Sequence, residues 1–278
     1  MKDDWDLAIR YRDIQRIGNL TEKQKIEQSE KAIHSIINRA HEMLGPVTPP
    51  YRYLVSGEPN ESSSFDIEET ISENLGKVNS RGKSKTSDWN LVFSNRELIH
   101  PGLVLLLDTS LSMKGEKLAF LAMTVATVAL SVPPETLCVL GFDTVVHELK
   151  NFDMNSNAHS LPLDKLVEAV LSIPPGGFTN MEKGLKSARE HIEKSNFPRA
   201  RMIIISDGKY TEGQDPSVTV KDWSFGGYVV NTVKIGKEPT GRNVMKEIAE
   251  ATSGHFHEVR EMAQLPKVLL SAVRAWVK

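Results

Sequence analysis

The feature that most constrains the fold of this sequence is a run of five apolar residues, Leu103 to Leu107, which ends abruptly at Asp108. The run is too short to cross a membrane, and its continuous apolar character predicts a strand covered on both faces, as in a parallel sheet. Ser110 and Ser112 follow Asp108 at intervals of two residues. In an open α/β sheet, the loop after the carboxyl end of a strand is where ligands bind. The pattern therefore places a carboxylate and two hydroxyls at a ligand-binding edge.

Taken alone, these three side chains allow two interpretations. Carboxylate and hydroxyl oxygens are hard donors, which suit Mg²⁺, Mn²⁺ or Ca²⁺ better than zinc. The same residues also suit a polar turn in which a serine caps the following helix. The rest of the chain has to decide between them.

Composition excludes several classes of protein. The chain has 278 residues, enough for one large domain or a domain with an extension, and its formal net charge of −2 makes no electrostatic case for binding nucleic acid or an anionic membrane. The single Cys138 lies in an apolar run, so we expect it in the core, and one cysteine allows neither an internal disulfide nor a cysteine-rich zinc site. Residues 1–6 lack the apolar segment of a signal peptide, and no stretch approaches the ~18 apolar residues of a membrane span. We therefore expect a cytoplasmic protein.

The first hundred residues divide into a helical segment, 1–46, and a linker and pre-domain region with short strands, 47–100. Thr21 and Gln24 have the spacing of a capping box. A helix is predicted after them, and it should end at Gly45-Pro46 and either pack on the main domain or offer its apolar face to a partner. That face comprises Ile26, Ile33, Ile37, Ala40 and Leu44.

From residue 101 to 278, predicted strands and helices alternate. This alternation predicts an α/β fold with a doubly wound, mainly parallel sheet and right-handed crossovers. We expect strands at 103–108, 136–142, 201–206, 227–235 and 254–259, an edge strand at 144–149 that could run antiparallel, and helices at 117–132, 161–171, 181–194, 243–252 and 265–277.

Two further loops of this region carry oxygen donors. Gly176-Gly177-Phe178-Thr179 precedes a predicted helix, and Asp207-Gly208 follows a predicted buried strand. Because parallel strands bring their carboxyl ends to one edge, Asp207 should lie near Asp108. With Ser110, Ser112 and Thr179 the two carboxylates would form a five-oxygen site for a divalent cation, with one coordination position left for water or a ligand.

The ordered pattern Asp108-x-Ser110-x-Ser112, Thr179 after a Gly-rich loop, and Asp207-Gly208 resembles the von Willebrand factor A (VWA) domain and its metal-ion-dependent adhesion site (MIDAS). The resemblance covers about residues 101–278. It implies a Rossmann-like VWA fold in which the five residues hold the cation directly or through water, and in which an acidic side chain of a protein partner completes the coordination. This chain departs from many intracellular relatives at Leu111, where glycine is common, and at Phe178, which stands where a third glycine is common.

The region before the domain adds a second resemblance. Residues 65–70, Phe-Asp-Ile-Glu-Glu-Thr, followed by a basic polar spacer, are similar to the corresponding region of bacterial and archaeal CoxE-like and magnesium-chelatase-associated VWA proteins. Proteins of that kind work with MoxR-type AAA+ ATPases in metal insertion or in the maturation of enzyme complexes. The resemblance therefore implies a non-enzymatic adaptor that acts with such an ATPase.

Two alternative functions stay open at this point. The chain could be the non-ATPase subunit of a metal chelatase, since it contains no P-loop sequence of its own. It could also be a metal-dependent phosphohydrolase with Asp108 as nucleophile, although such enzymes need a carboxylate where Ser110 stands and a better-placed lysine than Lys209. His255 and His257 share a strand face, but no third metal ligand accompanies them, so a solvated strand face is the simpler interpretation.

Overall fold

The computed structural model describes residues 2–16, 18–44, 55–56, 63–65, 93–95, 102–152, 161–174, 176–195, 197 and 200–274. The chain divides into two compact units. Residues Met1–Pro50 and Pro101–Lys278 form the larger unit, and residues Tyr51–His100 form the smaller one. The larger unit takes in the N-terminal helical segment. The division into three segments that the sequence suggests stays a prediction.

The smaller unit contains a three-stranded antiparallel sheet of order β1-β3-β2. Its strands are β1 (Val55–Ser56), β2 (Ser63–Phe65) and β3 (Phe93–Asn95). The sequence predicts short strands in the region 47–100, and these three strands are the part of that region that lies within the described residues. Of the stretch at residues 65–70, Phe65 is the last residue of β2, and the other five residues and the polar spacer after them lie outside the described residues.

The larger unit is built on a six-stranded sheet of order β6-β5-β4-β7-β8-β9. All neighbouring strands are parallel except β6, which runs antiparallel to β5 at the edge. The strands are β4 (Leu103–Asp108), β5 (Leu137–Phe142), β6 (Val146–Lys150), β7 (Arg201–Ser206), β8 (Val230–Ile235) and β9 (Phe256–Val259). Every residue of β4 is buried, as its apolar run predicts. The mainly parallel α/β fold is thus confirmed.

Helices flank this sheet. They are α1 (Lys2–Ile9), α2 (Tyr11–Arg16), α3 (Glu22–Leu44), α4 (Glu116–Ala129), α5 (Leu163–Ser172), α6 (Met181–Lys194), α7 (Pro216–Thr219), α8 (Arg242–Ala251) and α9 (Leu265–Arg274). Helix α6 packs on β4 and β5, and α8 packs on β8 and β9. Leu185 of α6 and Ile248 of α8 share one buried cluster with Val104 and Leu106 of β4. Cys138, which the sequence predicts to lie in the core, belongs to the same cluster. Its burial raises the pKa of the thiol to about 12.

The N-terminal helices pack within the larger unit. Helix α3 contacts α4 and α5, and its Ile36 and Ala40 are completely buried. The Trp5 ring of α1 meets the Phe120 ring of α4 edge-on at 5.0 Å, and the Arg39 guanidinium lies 4.3 Å from the centre of the Trp5 ring. This packing explains why α4 is buried from residue 118 through residue 128.

Helix α3 begins as the sequence predicts. The Thr21 N–H donates to the Gln24 side chain at 2.9 Å, and the Gln24 N–H donates to the Thr21 hydroxyl at 3.3 Å, which completes the capping box. The expected apolar face needs correction. Ile26 is 58% exposed and Ile37 only partly buried, whereas Ile36 lies at the centre of the contact. The Gly45-Pro46 stop lies outside the described residues.

The start of β8 is one of the element bounds that differ from expectation. Strand β8 begins at Val230 rather than at residue 227, because Trp223–Gly226 forms a 3₁₀-helix that ends at Gly227 with φ 75°. A left-handed conformation of that kind does not continue into an extended strand. Helix α9 reaches Arg274, the last of the described residues, and residues 275–277 of its expected range lie outside them.

Candidate metal centre

The candidate site lies at the carboxyl edge of the sheet, where β4 runs between β5 and β7. The register pairs Asp108 with Phe142 of β5, and Leu107 with Ile205 of β7. Because the three strands are parallel, the loops that leave them start side by side. The loop after β4 is also joined to β5 directly, since the Thr109 N–H donates to the Phe142 carbonyl at 2.8 Å.

Asp108 is completely buried, and hydrogen bonds hold both of its carboxylate oxygens. Oδ1 accepts the Ser110 N–H at 3.0 Å, and Oδ2 accepts the Ser206 hydroxyl at 2.6 Å. Burial and, to a smaller extent, the charge of Asp207 raise the pKa of Asp108 to about 6, against the opposing effect of the hydrogen bonds from Ser110 and Ser206. The two carboxylates are therefore close enough to repel one another.

The serine hydroxyls of the β4 loop form a pair. Ser110 Oγ and Ser112 Oγ are 3.2 Å apart, and Ser110 is 3% exposed while Ser112 is exposed. Asp207 is 8% exposed, and one of its carboxylate oxygens accepts the Lys209 N–H at 3.1 Å. These donors thus extend from the buried Asp108 outwards to the surface at Ser112.

Thr179 is tied to the loop that follows Asp207. Its N–H donates to the Thr211 hydroxyl at 2.9 Å, and its carbonyl accepts the N–H of Thr211 at 3.0 Å and of Glu212 at 3.3 Å. Thr179 is 7% exposed. The loops after β4 and β7 and the loop before α6 thus meet at one edge of the sheet and bring the five predicted residues there. Cation binding by these residues stays a prediction.

Neither carboxylate of the site has an ion-pair partner among the described residues. The nearby Lys209 pairs with Glu238, and the buried Lys234, the register neighbour of Ser206, donates to the Gly236 carbonyl at 3.1 Å. An ionised carboxylate that is buried without a compensating charge destabilises a protein. A divalent cation bound by two carboxylates and three hydroxyls would supply that charge, and such oxygens suit a hard cation. The donor set therefore fits the predicted metal.

Other kinds of metal site find less support. In the part of the chain that the structure describes, no group of three or more His, Cys, Asp or Glu side chains is placed to hold an ion. The rings of His255 and His257 stack with their centres 6.5 Å apart. Burial, with a smaller effect of His255, lowers the pKa of His257. This pair is accordingly a ring contact at the start of β9.

Sequence reasoning missed three residues of this edge. Asp143 follows β5 directly and is 4% exposed. Its carboxylate accepts the Val145 N–H at 2.8 Å and lies 3.0 Å from His147 Nε2. Its carbonyl accepts the N–H of Asn180, the residue after Thr179, at 2.9 Å. The strand-end rule that selected Asp108 and Asp207 would have selected Asp143 as well.

Ser206 and Thr211 carry no comparable sequence signal. Ser206 is the last residue of β7, the strand next to β4, and its hydroxyl donates a hydrogen bond to the Asp108 carboxylate. Thr211 positions Thr179 from a loop that is distant in sequence. Both contacts depend on how the strands and loops are placed in three dimensions.

The mainly parallel sheet and the three loops at its carboxyl edge define the chain as a VWA domain protein. The sequence profile of the family described as VWA domain containing CoxE-like protein matches residues 26–222, more than half of the chain. The chain belongs to this family. The match begins well before residue 101 and so includes most of α3 and the smaller unit. No curated protein matches the sequence significantly.

Solved structures of low sequence identity share the fold. BatB from Bacteroides thetaiotaomicron has a TM-score of 0.51 at 15% identity, over 63% of this chain and 98% of that one. Proximal thread matrix protein 1 from the mussel byssus, in a structure with a zinc-occupied MIDAS motif, has a TM-score of 0.51 at 18% identity, over 63% of this chain and 47% of that one. The vWF domain of the pili tip protein Mfa5 from Porphyromonas gingivalis has a TM-score of 0.51 at 13% identity, over 66% and 98%.

Among the described residues, no helix is both long enough and apolar enough to cross a bilayer.

Proposed function

We propose that this protein is a cation-dependent protein-binding module. In this proposal Asp108, Ser110, Ser112, Thr179 and Asp207 hold Mg²⁺, or Mn²⁺ or Ca²⁺, and leave one coordination position for an acidic side chain of a protein partner. The observation that carries the proposal is the completely buried Asp108 carboxylate, which lies next to a second carboxylate and forms no ion pair with any described basic side chain. Of the two carboxylates, Lys209 and Lys234 interact electrostatically with Asp207 only. The bound cation supplies the missing positive charge, and its open position makes it a receptor for a carboxylate.

Family membership supports this assignment. The match to CoxE-like VWA proteins covers the whole candidate site. The mussel protein of similar fold holds zinc at a MIDAS motif, so this architecture is compatible with a divalent cation at that edge. We propose hard cations rather than zinc for this chain, because its five donors are all oxygens and none of them is a histidine or a cysteine.

The finer proposal concerns the partner. We infer a cytoplasmic adaptor that recruits a protein to a MoxR-type AAA+ ATPase for complex maturation or metal insertion, as the resemblance to CoxE-like proteins implies. The alternative of a non-ATPase chelatase subunit predicts copurification with a chelatase ATPase. Mass spectrometry of proteins that are retained with Mg²⁺ and released by a chelator would separate the two.

A phosphohydrolase is less well supported. The position two residues after Asp108 is occupied by Ser110, and the ammonium group of Lys209 pairs with Glu238. Neither arrangement offers the acid or the phosphate-binding lysine that this chemistry needs. We therefore propose a non-catalytic role.

Isothermal titration with Mg²⁺, Mn²⁺ and Ca²⁺ tests the proposal. We expect one cation per chain for the natural protein, and loss of binding in Asp108→Ala because a direct or water-mediated ligand is removed. Asp222→Ala is the matched control, since Asp222 is an exposed aspartate whose side chain makes no capping hydrogen bond. The proposal is wrong if none of the three cations binds, or if Asp108→Ala binds them as tightly as the control does.

A further inference from the structure

Two exposed apolar side chains adjoin the candidate metal centre. Leu111, between Ser110 and Ser112, is 53% exposed, and Phe178, which precedes Thr179, is 65% exposed. Consecutive Cα atoms are about 3.8 Å apart, so each side chain starts within one residue of a proposed cation ligand. We call Leu111 and Phe178 the apolar rim.

The backbone of Phe178 is held firmly although its ring is exposed. Its N–H donates to the Thr144 hydroxyl at 2.9 Å, and that hydroxyl lies 3.4 Å from the Phe178 carbonyl. Gly177 before it has φ 67°, and a Cβ there would lie 2.3 Å from Thr144 Oγ1, so only glycine fits against Thr144. Because the backbone of Phe178 is already fixed, binding would restrict only the torsions of its side chain, and an exposed aromatic residue of this kind suits the centre of an interface.

Leu111 stands at the tip of a turn that is anchored from below. The Met113 N–H donates to the Ser110 carbonyl at 2.9 Å, and the Met113 side chain is completely buried. The turn thus presents Leu111 outwards while Ser110 and Ser112 form their hydroxyl pair. Hydrogen bonds therefore hold the backbone that carries each side chain of the apolar rim in the absence of a partner.

Isolated exposed apolar residues are common and need no function. Phe225 is such a residue, 91% exposed in the 3₁₀-helix that precedes β8, and therefore near the opposite edge of the sheet. Leu111 and Phe178 differ from Phe225 because both adjoin the candidate metal centre. When an acidic residue of a partner reaches the cation, the residues next to it in the partner's chain lie close to Leu111 and Phe178. In an extended segment these residues are spaced about 3.3 Å apart.

We propose that the apolar rim selects the partner sequence, so that the protein binds a segment whose metal-reaching acidic residue is flanked by apolar side chains. The inference rests on the proposed cation-dependent binding and adds the class of segment that is bound. Burial of one leucine-sized side chain against the rim should tighten binding by roughly tenfold or more over a polar flank.

Selection from two peptide libraries tests this inference on the full chain. Each library displays seven residues with three random positions on either side of a fixed centre, which is Glu in one library and Gln in the other. Selection is carried out with Mg²⁺ and with a chelator. We expect enrichment of the Glu library with Mg²⁺ only, and within it a preference for Leu, Ile, Val, Met or Phe next to the Glu.

Variants assign that preference to particular side chains. Phe178→Ser and Leu111→Ser should each lower the affinity for a selected peptide by about tenfold, while isothermal titration shows Mg²⁺ affinity within about twofold of the natural chain. Phe225→Ser, the matched control, should bind peptide and Mg²⁺ as the natural chain does.

The possible failures are distinguishable. Mg²⁺-dependent enrichment of Glu peptides with random flanks, or equal peptide affinity in Phe178→Ser and Phe225→Ser, overturns the role of the rim and leaves cation-dependent binding standing. Equal enrichment of the Glu and Gln libraries, or enrichment that survives the chelator, contradicts the proposed function and the rim with it.

Discussion

At the residue scale, burial and cation binding have opposite effects on the protonation of Asp108. The fold surrounds it completely, which favours its neutral form and raises its pKa to about 6, whereas a cation needs its charged form. Because the folded protein holds this proton more tightly than the unfolded chain does, the free energy of unfolding of the cation-free protein falls as the pH rises from roughly 4 to 6. The cation offsets this loss only where Asp108 is ionised.

We therefore predict that saturating Mg²⁺ raises the melting temperature more at about pH 7.5 than at about pH 5, since the cation must displace a proton at the lower pH. Differential scanning calorimetry at both pH values measures this difference. Asp108→Asn, which cannot ionise there, should respond little to Mg²⁺ at either pH. An equal or larger rise at pH 5 would show that Asp108 is not the group that links pH to the cation.

At the scale of the element, the sequence predicts that α3 is a helix but assigns some of the wrong residues to its buried face. Its period and capping box mark the helix, but several apolar residues compete for the buried side, and only contact with α4 and α5 selects among them. Ile36 is completely buried there, whereas Ile26, near the start of the helix, is 58% exposed. An apolar residue outside the contact with α4 and α5 fits the helical period as well as one inside it, so the period alone does not tell them apart.

The substitution Ile36→Ala should lower the free energy of unfolding by about 2–4 kcal/mol, because it removes buried methyl groups and leaves a cavity. Ile26→Ala makes the same chemical change on the same helix and should cost less than about 0.5 kcal/mol. Urea unfolding followed by circular dichroism compares the two variants. Similar losses in both would mean that α3 does not pack on α4 in solution as described.

At the scale of the whole molecule, the N-terminal helices and the strand–helix region share one compact unit. The contact of Trp5 with Phe120 and the complete burial of Ala32, Ile36 and Ala40 cover the outer side of α4. A boundary placed at residue 101 separates the two regions in sequence but cuts through this packing.

We predict that a fragment of residues 101–278 binds a hydrophobic dye such as ANS more strongly than the full chain and melts at a lower temperature, because α4 loses its cover. Adding a peptide of residues 1–46 should reduce the dye signal. A matched peptide with Trp5→Ser and Ile36→Ser should have less effect. A fragment as stable and as free of dye as the full chain would show that residues 101–278 form an independent domain.

Much of the architecture could be predicted from local pattern. The bounds of β4, β7 and α6 agree with expectation, because continuous apolar runs and a 3.6-residue period are properties of neighbouring residues. The five candidate donors were identifiable for a similar reason. Each lies in a loop next to a strand or helix that the sequence marks, and parallel strands bring such loops to one edge.

Local patterns in the sequence were thus enough to predict the alternating α/β fold, and they nominate five oxygen donors whose binding of a cation stays a prediction. Only the tertiary structure decided that Ser206 bonds Asp108, that Thr211 holds Thr179, and that Thr144 fixes the backbone of the exposed Phe178. These contacts join residues 32 to 98 positions apart. Periodicity describes which face of its own element a residue occupies, whereas contacts of this range depend on how separate elements are placed against one another.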